Sequence, residues 1–64
     1  MKTIDLTNGK RPKEGEEYRL TMEFHNGAQY SFYGKTKKEA EQNFKESFGN
    51  YKGFVRKEWN IEEE

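Results

Sequence analysis

The chain has no cysteine, one histidine, one aspartate, one proline and one tryptophan in 64 residues. Each scarcity removes a class of function or a means of stabilisation. Without cysteine there is no disulfide staple, no thiolate nucleophile and no cysteine-based zinc site. With His25 and Asp5 as the sole members of their kinds, a catalytic constellation has almost no members to draw on. The expectation is a non-enzymatic protein with no cofactor, no metal and no small-molecule substrate. Glu14, Glu16 and Glu17 lack the alternating oxygen ligands of a calcium loop, and the six glycines form no phosphate-cradling motif, reading instead as turn and cap residues. No apolar run approaches the ~20 residues that cross a bilayer, and no signal-peptide pattern opens the chain. The sequence therefore reads as a soluble, cytoplasmic protein that does not engage a membrane.

Charge of one sign is also missing in excess. Twelve basic residues balance twelve acidic ones, which weakens any bulk attraction to nucleic acid or anionic lipid. The total hides a split: residues 33–57 sum to +4, and residues 58–64, with four glutamates and no cation, to −4. What the chain does have is aromatic bulk. Ten Phe, Tyr and Trp residues must supply the core of a domain that buries only about 60% of its unfolded surface.

The clearest pattern surrounds His25-Asn26-Gly27. Tyr18, Leu20, Met22 and Phe24 alternate before it, and Ala28, Tyr30 and Phe32 after it. A two-residue Asn26-Gly27 turn would pair Phe24 with Gln29 and set the two apolar rows on opposite faces. A three-residue loop pairs Phe24 with Ala28, Met22 with Tyr30 and Leu20 with Phe32, all on one face, with Gly27 left-handed in a G1 bulge. Upstream, residues 2–7 alternate as a short strand with Ile4 and Leu6 on one side, which join the core if that strand forms, and a polar loop follows through Pro12 and Gly15.

Downstream, Thr36-Lys37-Lys38-Glu39 is a capping box that opens a helix over 37–48. Ala40, Phe44 and Phe48 form its apolar stripe, Glu41 and Lys45 pair at i,i+4, and Gly49 ends it. The last strand spans 53–61, with Val55, Lys57, Trp59 and Ile61 in the core row and Phe54, Arg56, Glu58 and Asn60 in the outer one. Residues 62–64 read as a frayed acidic tail. The whole is a single α+β domain in (β)ββαβ order: a small antiparallel sheet of three or four strands on one helix. Its expected core is Leu20, Met22, Phe24, Tyr30, Phe32, Ala40, Phe44, Phe48, Val55 and Trp59. Whether the last strand pairs with the first hairpin strand or lies at an edge is open. Lys and Glu along it would resist strand-to-strand dimerisation, so a monomer is expected.

This register exposes one surface, carrying Arg19, Thr21, Glu23, Gln29, Ser31 and Tyr33 from the hairpin with Phe54 and Arg56 from the last strand; the candidate contact residues on it are Arg19, Thr21, Gln29, Ser31, Tyr33, Phe54 and Arg56. Arginine, hydroxyls, an amide and aromatics suit base readout and stacking, a protein interface, or simply the wet face of a small sheet. The run Tyr33-Gly34-Lys35-Thr36-Lys37-Lys38-Glu39-Ala40-Glu41-Gln42-Asn43-Phe44 behind a hairpin resembles the AP2-like arm-binding domains of phage and transposon integrases, over Tyr18 to Phe44. That resemblance implies a sheet entering the major groove with Arg19, Thr21, Gln29, Ser31 and Tyr33 facing DNA. The chain departs from it in its neutrality, its Trp-bearing last strand and its acidic end. Two functional expectations result. The first is a non-enzymatic protein-binding module of the kind a phage or mobile element uses to modulate a host factor. The alternative is a sheet-mediated DNA- or RNA-binding domain.

Overall fold

A computed structural model describes residues 2–50 and 52–63. Five elements follow in order: β1 Lys2–Asp5, β2 Glu16–Phe24, β3 Gln29–Gly34, α1 Lys37–Phe48 and β4 Phe54–Glu63. They form a four-stranded sheet in the order β1-β4-β2-β3 with the helix on one face. The (β)ββαβ expectation holds, with one refinement: β4 is antiparallel to β2, but β1 runs parallel to β4, so the sheet is mixed.

The hairpin adopts the register that its apolar rows require. Met22 faces Tyr30 and Leu20 faces Phe32. The Phe24 N–H donates to the Ala28 carbonyl at 2.9 Å, the Gly27 N–H to the Phe24 carbonyl at 3.0 Å, and Gly27 has φ +86°. In α1 the Thr36 hydroxyl accepts from the Glu39 N–H at 3.1 Å, and Gly49 terminates the helix at φ +63°. Tyr18, Leu20, Met22, Phe24, Ala40, Phe44 and Trp59 are buried, with Phe32, Phe48, Phe54 and Ile61 packed around them. The rings mesh at centroid separations of 5.1 Å (Phe24–Phe48), 5.5 Å (Phe32–Phe44) and 6.0 Å (Phe44–Phe54). Such aromatic pairs contribute about 0.5–1.5 kcal/mol each beyond area burial.

Three core assignments need correction. Strict alternation along β4 put Val55 inside and Phe54 outside; the reverse holds. The β2–β4 register slips between Glu23 and Phe24, so that Glu23 faces Arg56 but Phe24 faces Phe54. This bulge leaves Val55 39% exposed and turns Phe54 toward Phe44, because one extra residue reverses the alternation beyond it. Ile4 and Leu6 also leave the core. Ile4 lies opposite Glu58 and therefore shares its outward face, and Leu6 is 49% exposed. Tyr30 touches Phe24 and Phe48 with its ring yet stays 47% exposed, because β3 is an edge strand.

The acidic end is more ordered than its composition suggests. Glu62 and Glu63 continue β4 opposite Glu17 and Glu16, and the Arg19 guanidinium bonds Glu62 at 3.1 Å. Glu64 lies outside the described residues.

Candidate functional site

The helix packs on one face of the sheet, so the opposite face is open. Alternation and register array its side chains in three rows running from β3 across β2 and β4 toward β1. Tyr33, Arg19 and Asn60 form one row; Ser31, Thr21, Glu58 and Ile4 the next; Gln29, Glu23, Arg56 and Lys2 the third. Six of the seven expected site residues thus meet on one surface: Arg19, Thr21, Gln29, Ser31, Tyr33 and Arg56. Phe54 does not join them, for the reason given by the bulge. Glu23 follows from the hairpin register, and Glu58 and Asn60 from the outer row of the last strand; where these meet, and the addition of Glu62, Lys2 and Ile4, depend on strand order. Only a central β4 brings Glu58, Asn60 and Glu62 beside β2, and only the parallel pairing of β1 adds Lys2 and Ile4.

Electrostatically the arginines of this face are held by its own carboxylates. Arg19 is held by Glu62 at 3.1 Å, and Arg56 by Glu23 and Glu58 at 3.6 Å each. Lys2, Arg19 and Arg56 stand against Glu17, Glu23, Glu58 and Glu62, a balance of −1 among the described residues. The pairs are half-exposed, so each contributes about 0–1 kcal/mol to stability. They nonetheless fix where the guanidinium groups point. The Arg19 Nε is buried and has no hydrogen-bond partner among the described residues. Apolar groups flank the charged centre: Tyr33, 41% exposed, on the β3 side and Ile4 on the β1 side.

A second cluster surrounds Trp59 on the helix side. The Asp5 carboxylate accepts from the Thr7 N–H at 2.9 Å, from the Thr7 hydroxyl at 2.6 Å and from the Lys37 ammonium at 2.9 Å. The Thr7 hydroxyl bond first, then that of Lys37, holds the Asp5 carboxyl down at about 2. Lys37 and Lys57 also lie over the Trp59 ring, 5.5 and 5.4 Å from its centroid, and Lys57 pairs with Glu41. These charges partner one another and tie β1 and β4 to α1, which is a structural task. His25 stands exposed at the hairpin tip, its backbone N–H donating to the Gly53 carbonyl at 3.0 Å. A shallow groove at the start of α1, lined by Arg11, Pro12, Tyr18 and residues 35–37, is open to solvent.

No helix among the described residues is long and apolar enough to cross a membrane. Comparison of the chain with protein-family models, with curated proteins and with solved structures gives no match.

Proposed function

We propose that this chain is a non-enzymatic binding module and that the open sheet face contacts a protein. One observation carries the reading: both arginines of the face are paired with its own carboxylates, and Tyr33 and Ile4 flank them. A phosphate-binding face needs cations in excess, since affinity for nucleic acid arises from neutralising phosphates and releasing counterions. Here a phosphate would have to displace Glu62 from Arg19, or Glu23 and Glu58 from Arg56, on a surface whose balance is −1. A protein surface with its own alternating charges makes no such demand. It exchanges salt bridges in register and covers Tyr33 and Ile4. Arginine and tyrosine are enriched in the energetically dominant parts of protein interfaces.

The alternative, DNA or RNA binding by the same sheet, is separated by a titration. Duplex and single-stranded oligonucleotides of random sequence are added at low salt to isotopically labelled protein. The protein reading expects no shift of the Arg19, Thr21, Ser31 and Tyr33 amide signals. Saturable shifts there that vanish as salt is raised would replace it with the nucleic-acid reading.

A further inference from the structure

The expectation of a monomer rested on Lys and Glu along the last strand, and that strand is not an edge. The sheet's edges are β1 and β3. Edge strands ordinarily carry charges, prolines or bulges that prevent pairing with another chain. β1 has Lys2 and Asp5, but β3 reads Gln-Tyr-Ser-Phe-Tyr-Gly and has neither charge nor proline. Its backbone is also poised for pairing. The Phe24–Ala28 bond fixes the phase of the β2–β3 ladder, so Tyr30, Phe32 and Gly34 bond inward to β2 and Gln29, Ser31 and Tyr33 direct their N–H and C=O groups away from it. The Asn43 amide confirms the phase, donating to the Tyr33 carbonyl from outside the ladder. That bond occupies one end of the edge and leaves the outward groups of Gln29 and Ser31 without partners among the described residues.

We propose that the chain self-associates through this edge. β3 pairs antiparallel with β3 of a second copy about a two-fold axis at Tyr30, joining two four-stranded sheets into one of eight. In this register Gln29 faces Ser31 of the second copy and Ser31 faces Gln29, each pair exchanging both backbone hydrogen bonds. Tyr30 faces Tyr30 across the axis, and the Tyr33 carbonyl keeps Asn43. The pairing is self-complementary, as a two-fold contact must be. The chain's zero net charge sets no long-range repulsion between copies. The half-exposed Tyr30 borders a hollow of about 210 Å³ lined by Phe24, Asn26, Tyr30 and Phe48, and the second Tyr30 lies against this rim. The contact is small, below the ~1,200 Å² of standard interfaces, so the dimer is weak, with dissociation in the micromolar range. This inference does not depend on the partner proposed for the open face.

Sedimentation equilibrium of the whole chain from about 10 µM to about 1 mM, a span chosen to bracket such an affinity, reads it directly. The average mass is expected to climb from 7.7 kDa toward twice that value, and a mass that stays at 7.7 kDa overturns the proposal. Ser31→Pro removes an outward N–H that the β2–β3 ladder does not use, and is expected to stay folded by circular dichroism while weakening the dimer at least tenfold. Ser31→Lys, which adds an edge charge and keeps the N–H, serves if the proline variant does not fold and is expected to weaken it likewise. A folded variant of either kind that dimerises as wild type would refute pairing through β3.

Discussion

Gly34 ends β3 where the strand meets the first turn of α1, and replacing it with alanine tests how the helix is seated. A Cβ at this position would lie 2.5 Å from the Ala40 backbone nitrogen and 2.9 Å from both the Glu39 carbonyl carbon and its Cβ. Ordinary contact begins near 3.4 Å, so the first turn of α1 must lift by most of an ångström. Two are backbone atoms and the third is a Cβ fixed to the backbone, so no rotamer change relieves them. Overpacking of this kind costs about 1–3 kcal/mol. The shift also loosens the Thr36 cap, worth about 1 kcal/mol, so the total is about 2–4 kcal/mol. A domain of this length has roughly 3–10 kcal/mol to lose, and at about 4–8 °C per kcal/mol the midpoint falls by roughly 8–32 °C. Thermal and urea unfolding followed by Trp59 fluorescence and far-UV circular dichroism measure it. Gly27→Ala is the control: nothing lies within 4 Å of a Cβ there, and only its φ of +86° is unfavourable, a strain of about 1–2 kcal/mol. The reasoning is refuted if Gly34→Ala costs less than about 0.5 kcal/mol, the range of neutral surface changes, or less than Gly27→Ala.

Other perturbations probe separate parts of the account. Phe54→Ala should destabilise by about 2–4 kcal/mol and Val55→Ala by less than about 1 kcal/mol; equal costs in urea unfolding would argue against the β4 bulge. Asp5, lowered from 3.8 to about 2 in the fold, binds its proton more weakly folded than unfolded, so its contribution is complete above pH 3.8 and is lost as pH falls through about 2. The urea midpoint of wild type should therefore drop across that window more than that of Asp5→Asn; parallel pH profiles would contradict the Thr7 and Lys37 bonds. Arg56→Ala should change stability by under about 1 kcal/mol because its pairs are half-exposed; a larger loss in thermal unfolding would assign Arg56 to holding the fold together.

Local signals were legible in the chain, and long-range ones were not. The Phe24–Ala28 register, the Thr36 cap and the Gly49 stop each follow from residues within a few positions of one another, and all three appear in the fold. The position of β4 between β1 and β2 depends on which strand best fills the centre of the sheet, a choice made by Trp59 and Ile61 packing beside Leu20 and Tyr18 across the register. No spacing along the chain encodes that choice. Hence Ile4 was assigned to the wrong face, and Glu58 and Glu62 were left out of the site. Phe54 and Val55 exchanged places because a bulge is a slip between two strands and leaves no mark on one strand's alternation. Gly34, read as a turn residue, proved to be a packing residue because α1 returns over the end of β3. For the open face, the hairpin register placed five residues and the alternation of the last strand a sixth, Arg56, but the pairing of its arginines with carboxylates, which decides how the face meets a partner, came only with the strand order.

The central claim, that the open sheet face is a protein contact surface, is tested most directly by site-specific photo-crosslinking. A benzophenone amino acid replaces Thr21, in the middle of the face, or Gln42, on the exposed side of α1, and each protein is irradiated in extract from the cells that produce it. The account predicts a discrete crosslinked protein from position 21, none from position 42, and loss of that product when Arg19 and Arg56 are both changed to Glu in a chain that remains folded. No product from position 21, or one equally strong from position 42 and indifferent to the two arginines, would contradict it.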